Sequence, residues 1–219
     1  MHRHARKPSR QHAQQQADAR LKERRQRLAQ EAARLMAEGG SRDYQQAKLK
    51  AALRLGVADE ASLPRNREID EALREYQRLF QPDNASALRL RREAALLALE
   101  FFAVFEPRLV GPVLDGTADA LSPVTLHLHS DDADAAARFL EQHGIPAEVR
   151  SRRLRLDRER NGEFPVWLFS ADDIAFDLTV LPHDVLRQAP LSAIDQKPLR
   201  RASAAQLRQL LAGESAAPR

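Results

Sequence analysis

Residues 109–128, LVGPVLDGTADALSPVTLHL, open the part of the chain whose hydrophobic spacing decides the fold class. Upstream of Pro107, apolar residues recur at helical intervals, whereas downstream they form short runs separated by turn residues. Two of these runs, Leu109–Leu114 and Val124–Leu128, lie on either side of Gly116 and are predicted to be strands. We expect the two strands to pair in one sheet.

The upstream part of the chain is predicted to be helical. Apolar spacing and cap residues indicate helices over 17–39, from a Ser41 cap to Leu55, from Asn66 to Phe80, and from Ser86 to Phe105. Residues 1–15 are polar and charged, with almost no large apolar side chains. Such a composition cannot offset the entropy of ordering, so we predict a disordered basic tail.

The downstream part is predicted to be mostly β-structure. Further strands are expected at Glu148–Leu156, Val166–Phe169 and Ile174–Leu181, with one helix between Ser130 and Gly144 and a short helix near 203–211. Helices followed by strands predict an α+β fold, in which a helical N-terminal region packs on a mixed β-sheet. The predicted divisions are a tail at 1–15, a helical region at 16–82, an α+β domain at 83–182 and a C-terminal extension at 183–219.

Composition excludes several classes of protein. The 219 residues include no cysteine, which rules out a disulfide scaffold and a cysteine zinc site and suits a reducing cytoplasm. No apolar run is long enough for a membrane span, and no hydrophobic signal segment follows the basic N-terminus. We therefore expect a cytoplasmic location and no membrane partner.

The positive charge is confined to the N-terminus. Nine Lys or Arg side chains stand against two acidic ones in residues 1–30, whereas the remainder of the chain has a net charge of −3. Two interpretations of the basic segment stay open. It makes weak, salt-sensitive contacts with nucleic-acid phosphates, or it is a solubilising extension without a partner. It offers no aromatic side chains on which single-stranded bases would stack.

The segment 109–128 also resembles the nucleotidyltransferase signature of the DNA polymerase beta superfamily. Gly111 aligns with the glycine that follows the first strand of the signature, Gly116 and Thr117 with the arm, and Ser122 with the serine before the paired carboxylates. The resemblance implies a nucleotidyltransferase-like domain in which these four residues contact the nucleotide. Phe176-Asp177-Leu178 is similar to the strand that carries a third carboxylate.

Both paired carboxylates of that signature are replaced here, by Pro123 and Thr125. Nucleotidyl transfer requires Mg²⁺ ions held by hard oxygen ligands, and two aspartates at positions i and i+2 of a strand would face the same side. Proline supplies no ligand and threonine a neutral one, so Asp177 and Thr125 are the remaining candidate catalytic residues. We predict a catalytically degenerate domain that keeps a nucleotide- or partner-binding cleft and needs no cofactor.

Two alternative functions remain. The first is an active nucleotidyltransferase whose site for Mg²⁺ or another divalent metal is rebuilt from Thr125, His127 and Asp177. His127 and His129 share a strand face with Thr125, and imidazoles are transition-metal ligands, although the same pattern suits a polar face covered by loops. The second alternative is an interaction protein that binds nucleic acid through residues 1–30.

Overall fold

The computed structural model describes residues 10–39, 43–80, 84–157, 159–192 and 195–216. Within these ranges the chain forms seven α-helices and a five-stranded mixed sheet, so the fold is α+β as predicted. The chain divides into two units, Met1–Leu79 and Phe80–Arg219. None of the described helices has the length and apolar character required to span a membrane.

The first unit is helical. Its helices are α1 (Arg10–Gly39), α2 (Tyr44–Arg54) and α3 (Asn66–Phe80). Their shared core is rich in alanine, which lets the helices approach closely, and includes Leu28, Ala32, Ala33 and Met36 of α1, Ala47 and Ala51 of α2, and Ile69 and Leu73 of α3. A short 3₁₀ turn at Glu60–Ser62 precedes α3.

The structure corrects the predicted start of this unit. Residues 10–15 belong to α1 and are not disordered. The prediction weighed their lack of apolar groups and neglected the high helix propensity of alanine, glutamine and arginine. Residues 1–9 and the predicted Ser41 cap lie outside the described residues. The cap of α2 is Asp43, whose carboxylate accepts the N–H of Gln46 at 3.0 Å.

The second unit contains the sheet. Its elements in chain order are α4 (Asn84–Phe101), β1 (Arg108–Val110), α5 (Pro112–Asp115), β2 (Val124–His129), α6 (Ala135–Gln142), β3 (Glu148–Arg155), β4 (Asn161–Ala171), β5 (Ile174–Leu181) and α7 (Ala204–Ala216). Short 3₁₀ turns lie at Ala103–Phe105 and His183–Leu186.

The strand order of the sheet is β1-β2-β5-β4-β3. The predicted pairing of the first two strands is confirmed, since Leu109 lies opposite Leu126 in an antiparallel ladder. Strands β2 and β5 are parallel neighbours, whereas β5, β4 and β3 are successive antiparallel neighbours. This order puts β2 and β5 at the centre of the sheet and β3 at an edge.

Three predicted boundaries in the second unit are corrected. The strand expected to reach Leu114 ends at Val110, because Gly111 turns the chain and Pro112 begins α5. The helix expected to reach Phe105 ends at Phe101. The helix expected at Ser130 begins at Ala135, since the Ser130 hydroxyl closes a preceding turn by accepting the N–H of Asp132 at 3.1 Å.

One face of the sheet packs against helices and forms the main core. Leu126, Leu128 and Leu178 from the central strands are buried there with Phe102, Leu140 and Leu207. Leu207 belongs to α7, so the C-terminal extension is an integral part of this unit. The opposite face of the sheet is polar and carries the candidate site.

Candidate functional site

The polar face of the sheet brings Thr125 and Asp177, the two predicted candidate catalytic residues, side by side. Thr125 on β2 is the direct neighbour of Asp177 on β5, and Asp177 lies opposite Leu168 on β4. Leu168 lies opposite Glu148 on the edge strand. Because side chains alternate between the two faces of a sheet, Thr125, Asp177 and Glu148 lie on the same side of it.

Asp177 is bound by an arginine from two strands away. Arg152 of β3 donates from Nη1 to Oδ1 of Asp177 at 3.0 Å and from Nη2 to Oδ2 at 2.5 Å. Nη1 also donates to the Thr179 hydroxyl at 3.1 Å. Bidentate pairs of this kind are among the stronger hydrogen bonds in proteins. The Asp177 side chain is only 9% exposed, whereas that of Arg152 is 37% exposed.

A cleft of about 530 Å³ opens above this pair. Its volume falls within the range usual for small-molecule sites. The floor is apolar and the charged groups come from β3 and β5. The lining residues are Pro123, Glu148, Arg150, Ser151, Arg152, Val166, Leu168, Phe169, Ser170, Ala175, Phe176 and Asp177.

The charged groups that line the cleft form two ion pairs. Arg152 pairs with Asp177, and Nε of Arg150 donates to Oε1 of Glu148 at 2.9 Å. The described residues contain no group of three or more histidine or acidic side chains arranged to hold a metal ion. Mg²⁺ requires several oxygen ligands, and here Pro123 offers none while the oxygens of Asp177 are held by a guanidinium. The donor set therefore does not fit a pair of magnesium ions.

The backbone conformation of the arm between β1 and β2 depends on two glycines. Gly111 adopts φ 73° and ψ −155°, a region open almost only to glycine, and Gly116 adopts φ 81° after α5. Thr117 and Ser122 are buried, and the Ser122 hydroxyl donates to Asp119 Oδ1 at 2.7 Å. The side chains of Thr117 and Ser122 thus lie within the arm and not among the residues that line the cleft. A nucleotide-binding role for these residues stays a prediction.

Two buried arginines of α4 hold the arm in place. Arg91 donates to the carbonyls of Ser122 at 2.9 Å and Ala87 at 3.2 Å, and also to that of Ala120. Sequence reasoning missed this role, because arginine in an exposed-looking helical pattern carries no sign of burial.

The second of these arginines is Arg92. It donates to the carbonyl of Val113 at 3.0 Å and to that of Leu114 at 3.4 Å, and it pairs with Glu214 of α7. These contacts of Arg92 join α5 and α7 to α4. Burial lowers the pKa of Arg92, although its ordinary value is so high that the side chain stays charged.

His127 and His129 follow Thr125 on the polar face and are almost fully buried. The ring of His129 donates from Nδ1 to the Glu106 carbonyl at 2.9 Å. Among the described residues, His127 Nδ1 and His129 Nε2 have no hydrogen-bond partner. Burial, together with the nearby positive charges of Arg152 and Arg201, lowers the pKa of His127 to about 3. Burial likewise lowers the pKa of His129 to about 4, so both rings are neutral at pH 7.

A second concave surface lies on the helix side of the sheet. It has a volume of about 640 Å³ and is lined mainly by apolar side chains of α4 and of the β4–β5 hairpin, among them Leu97, Phe101, Phe169 and Ile174. It presents few groups able to orient a ligand or carry out chemistry. The polar cleft is therefore the better candidate for a functional site.

Comparisons with protein-family models, with curated proteins and with solved structures gave no match to this chain.

Proposed function

We propose that the second unit is a catalytically silent nucleotidyltransferase-like domain that binds a nucleotide in the polar cleft without metal chemistry. The observation that carries the proposal is the place of Arg152. Its guanidinium lies on Asp177, in the row where the superfamily signature requires metal ions between carboxylates. A fixed positive charge on the protein there takes the place of a bound cation.

The hydrogen bonds of Arg152 leave it able to contact a ligand. Its guanidinium has five N–H donors, and three are used by Asp177 and Thr179. With its side chain 37% exposed, Arg152 has donors left for a phosphate oxygen. Arg150, on the same face of β3, lines the cleft as a second cation. The apolar floor formed by Val166, Leu168 and Ala175 suits the face of a base.

Direct binding measurements test this function. We expect fluorescent or unlabelled nucleoside triphosphates to bind the whole chain equally well in EDTA and in Mg²⁺, and to raise its thermal midpoint. Arg152→Gln should weaken binding at least tenfold. The matched control is Arg153→Gln, which removes an exposed arginine from the opposite face of the same strand.

Three results would count against the proposal. One is the absence of nucleotide binding, and another is equal binding by the Arg152 and Arg153 variants. The third is Mg²⁺- or Mn²⁺-dependent pyrophosphate release that disappears in Asp177→Ala. That result would establish the alternative of an active nucleotidyltransferase with a rebuilt metal site.

A further inference from the structure

Within the described part of the first unit, residues 14–27 of α1 stand apart because none of them is buried. Core packing of α1 begins at Leu28, and residues 14–20 are all exposed. Arg25 fixes the base of this segment by donating to the Ala61 carbonyl at 2.8 Å. We call residues 14–27 the arm helix, which is distinct from the arm between β1 and β2. A helical segment that is polar on all sides gains little from folding against its own domain, so its surface is available to a partner.

The arm helix carries a stripe of positive charge. Gln16, Arg20, Arg24 and Arg27 follow one another at intervals of four, four and three residues, which puts them on the same side of a helix. The three arginines are exposed, and Arg20 makes no ion pair within the described residues. Arg27 pairs with Glu23 at 2.6 Å, but both side chains remain largely exposed, so the pair is weak and screened by salt.

We propose that the arm helix binds double-stranded nucleic acid by contacting phosphates, without reading sequence. This inference rests on the first unit alone and does not depend on the function of the cleft. Arg20 and Arg27 lie about 10 Å apart along the helix axis. Over that length one strand of a DNA duplex presents about three phosphates, as many as the stripe has arginines. A helix of about 10–12 Å diameter also matches the width of the major groove of DNA.

The composition of the arm helix disfavours other anionic partners. A membrane-surface helix needs a broad apolar face, and Leu21 is the only large apolar residue between 14 and 27. Single strands are held by aromatic stacking, and the arm helix has no aromatic residue. The small side chains of Ala17 and Ala19 leave room for a duplex to approach the helix beside the arginines. These features favour a duplex backbone.

The test uses fluorescence anisotropy with a labelled duplex of about 25 base pairs and the whole chain, over a range of salt concentrations. The triple variant Arg20→Gln, Arg24→Gln, Arg27→Gln removes the stripe while keeping good helix-forming residues. A second triple variant, Arg67→Gln, Arg89→Gln, Arg138→Gln, removes the same charge from exposed arginines elsewhere. Circular dichroism and thermal midpoints establish that both variants fold.

We expect the wild-type chain to bind duplexes of unrelated sequence with similar affinity and more tightly than the matching single strands. Loss of the stripe should weaken binding at least tenfold at low salt. It should also reduce the slope of log K against log salt by about 2.7, since each phosphate contact contributes about 0.9. The control variant should retain most of the affinity and of the slope.

Equal losses in the two triple variants would overturn the proposal, because binding would then follow net charge and not the stripe. So would equal affinity for single strands and duplexes. Binding to anionic vesicles or to polyglutamate in the absence of duplex binding would assign the arm helix to a different partner.

Discussion

Arg152 on the edge strand β3 reaches over β4 and holds both carboxylate oxygens of Asp177 on β5, at 3.0 and 2.5 Å. The pair links β3 to β5 across β4 on the polar face and neutralises the carboxylate of Asp177. The same ion pair therefore contributes to the stability of the sheet and occupies both carboxylate oxygens of Asp177 in the cleft.

Replacing one member of this ion pair should lower the free energy of unfolding more than replacing both. In Arg152→Ala, Asp177 would be left buried without a positive partner, and we expect the free energy of unfolding to fall by about 3 kcal/mol. Replacing both, as Arg152→Met with Asp177→Leu, should cost clearly less, because no buried charge remains. Urea denaturation at pH 7 measures both. An equal loss in the single and double variants would mean that packing, and not charge, makes Arg152 important.

Rebuilding the metal site should require the removal of Arg152. The double variant Pro123→Asp, Thr125→Asp would introduce two carboxylates beside Asp177, but Arg152 would pair with them as well as with Asp177. We expect Mn²⁺ binding, followed by calorimetry or electron paramagnetic resonance, only when Arg152→Ser is added to the double variant. Tight Mn²⁺ binding by the double variant with Arg152 in place would contradict this account of the cleft.

Acidification should destabilise the protein through its buried histidines. The pKa values of about 3 for His127 and about 4 for His129 lie below the value of about 6.5 expected on unfolding. The unfolded chain therefore takes up protons first as the pH falls. The stability contributed by the neutral rings is complete above about pH 7. It is lost from about pH 6.5 down to about pH 4 for His129 and down to about pH 3 for His127.

From pH 7 to pH 5, each buried histidine should lower the free energy of unfolding by up to about 2 kcal/mol. Urea denaturation of His127→Gln should show about half of the wild-type change, whereas the exposed His183→Gln should behave like the wild type. Carboxylates of lowered pKa, such as Asp157 at about 2, act only at lower pH. A wild-type stability that stays constant from pH 7 to pH 5 would disprove the burial of neutral rings.

Replacing Arg91 or Arg92, the two buried arginines of α4, should destabilise the protein far more than replacing the exposed Arg89. Arg91→Met and Arg92→Met each leave several buried carbonyls of the arm without donors, and we expect losses of about 2–3 kcal/mol. Arg89→Met removes an exposed pair with Glu93 and should change stability by less than about 1 kcal/mol. Similar effects at the three positions would show that the arm is not held by these bonds.

Regular elements with a strong apolar pattern were predicted well from the sequence. Strand β5 was predicted with the bounds that the structure has, because the alternation of Phe176, Leu178 and Val180 on its buried face is local information. The start of α1 was not predicted from the sequence. A helical segment without a buried face has no hydrophobic period, so only its helix propensity can indicate it. The end of β1 was missed because the apolar residues Val113 and Leu114 were given more weight than the turn signals of Gly111 and Pro112.

The candidate site was predictable only in part. The sequence interpretation grouped Thr125 with Asp177 as candidate residues, and the structure places them opposite one another on neighbouring strands. The role of Arg152 could not be inferred, because it depends on the strand order and on the register of β3 against β4. A long side chain that reaches over an intervening strand leaves no trace in sequence spacing.

The parallel pairing of β2 and β5 has a consequence for how the chain folds. Thr125 and Asp177 are about fifty residues apart, whereas β3, β4 and β5 are joined by short connections and can pair locally. Closing the longer loop costs more entropy, so the hairpins should form early and the central contact late. Arg152 and Asp177 both lie in the hairpins. Their ion pair should therefore exist before Thr125 arrives, and the polar face would already be neutralised when the cleft closes.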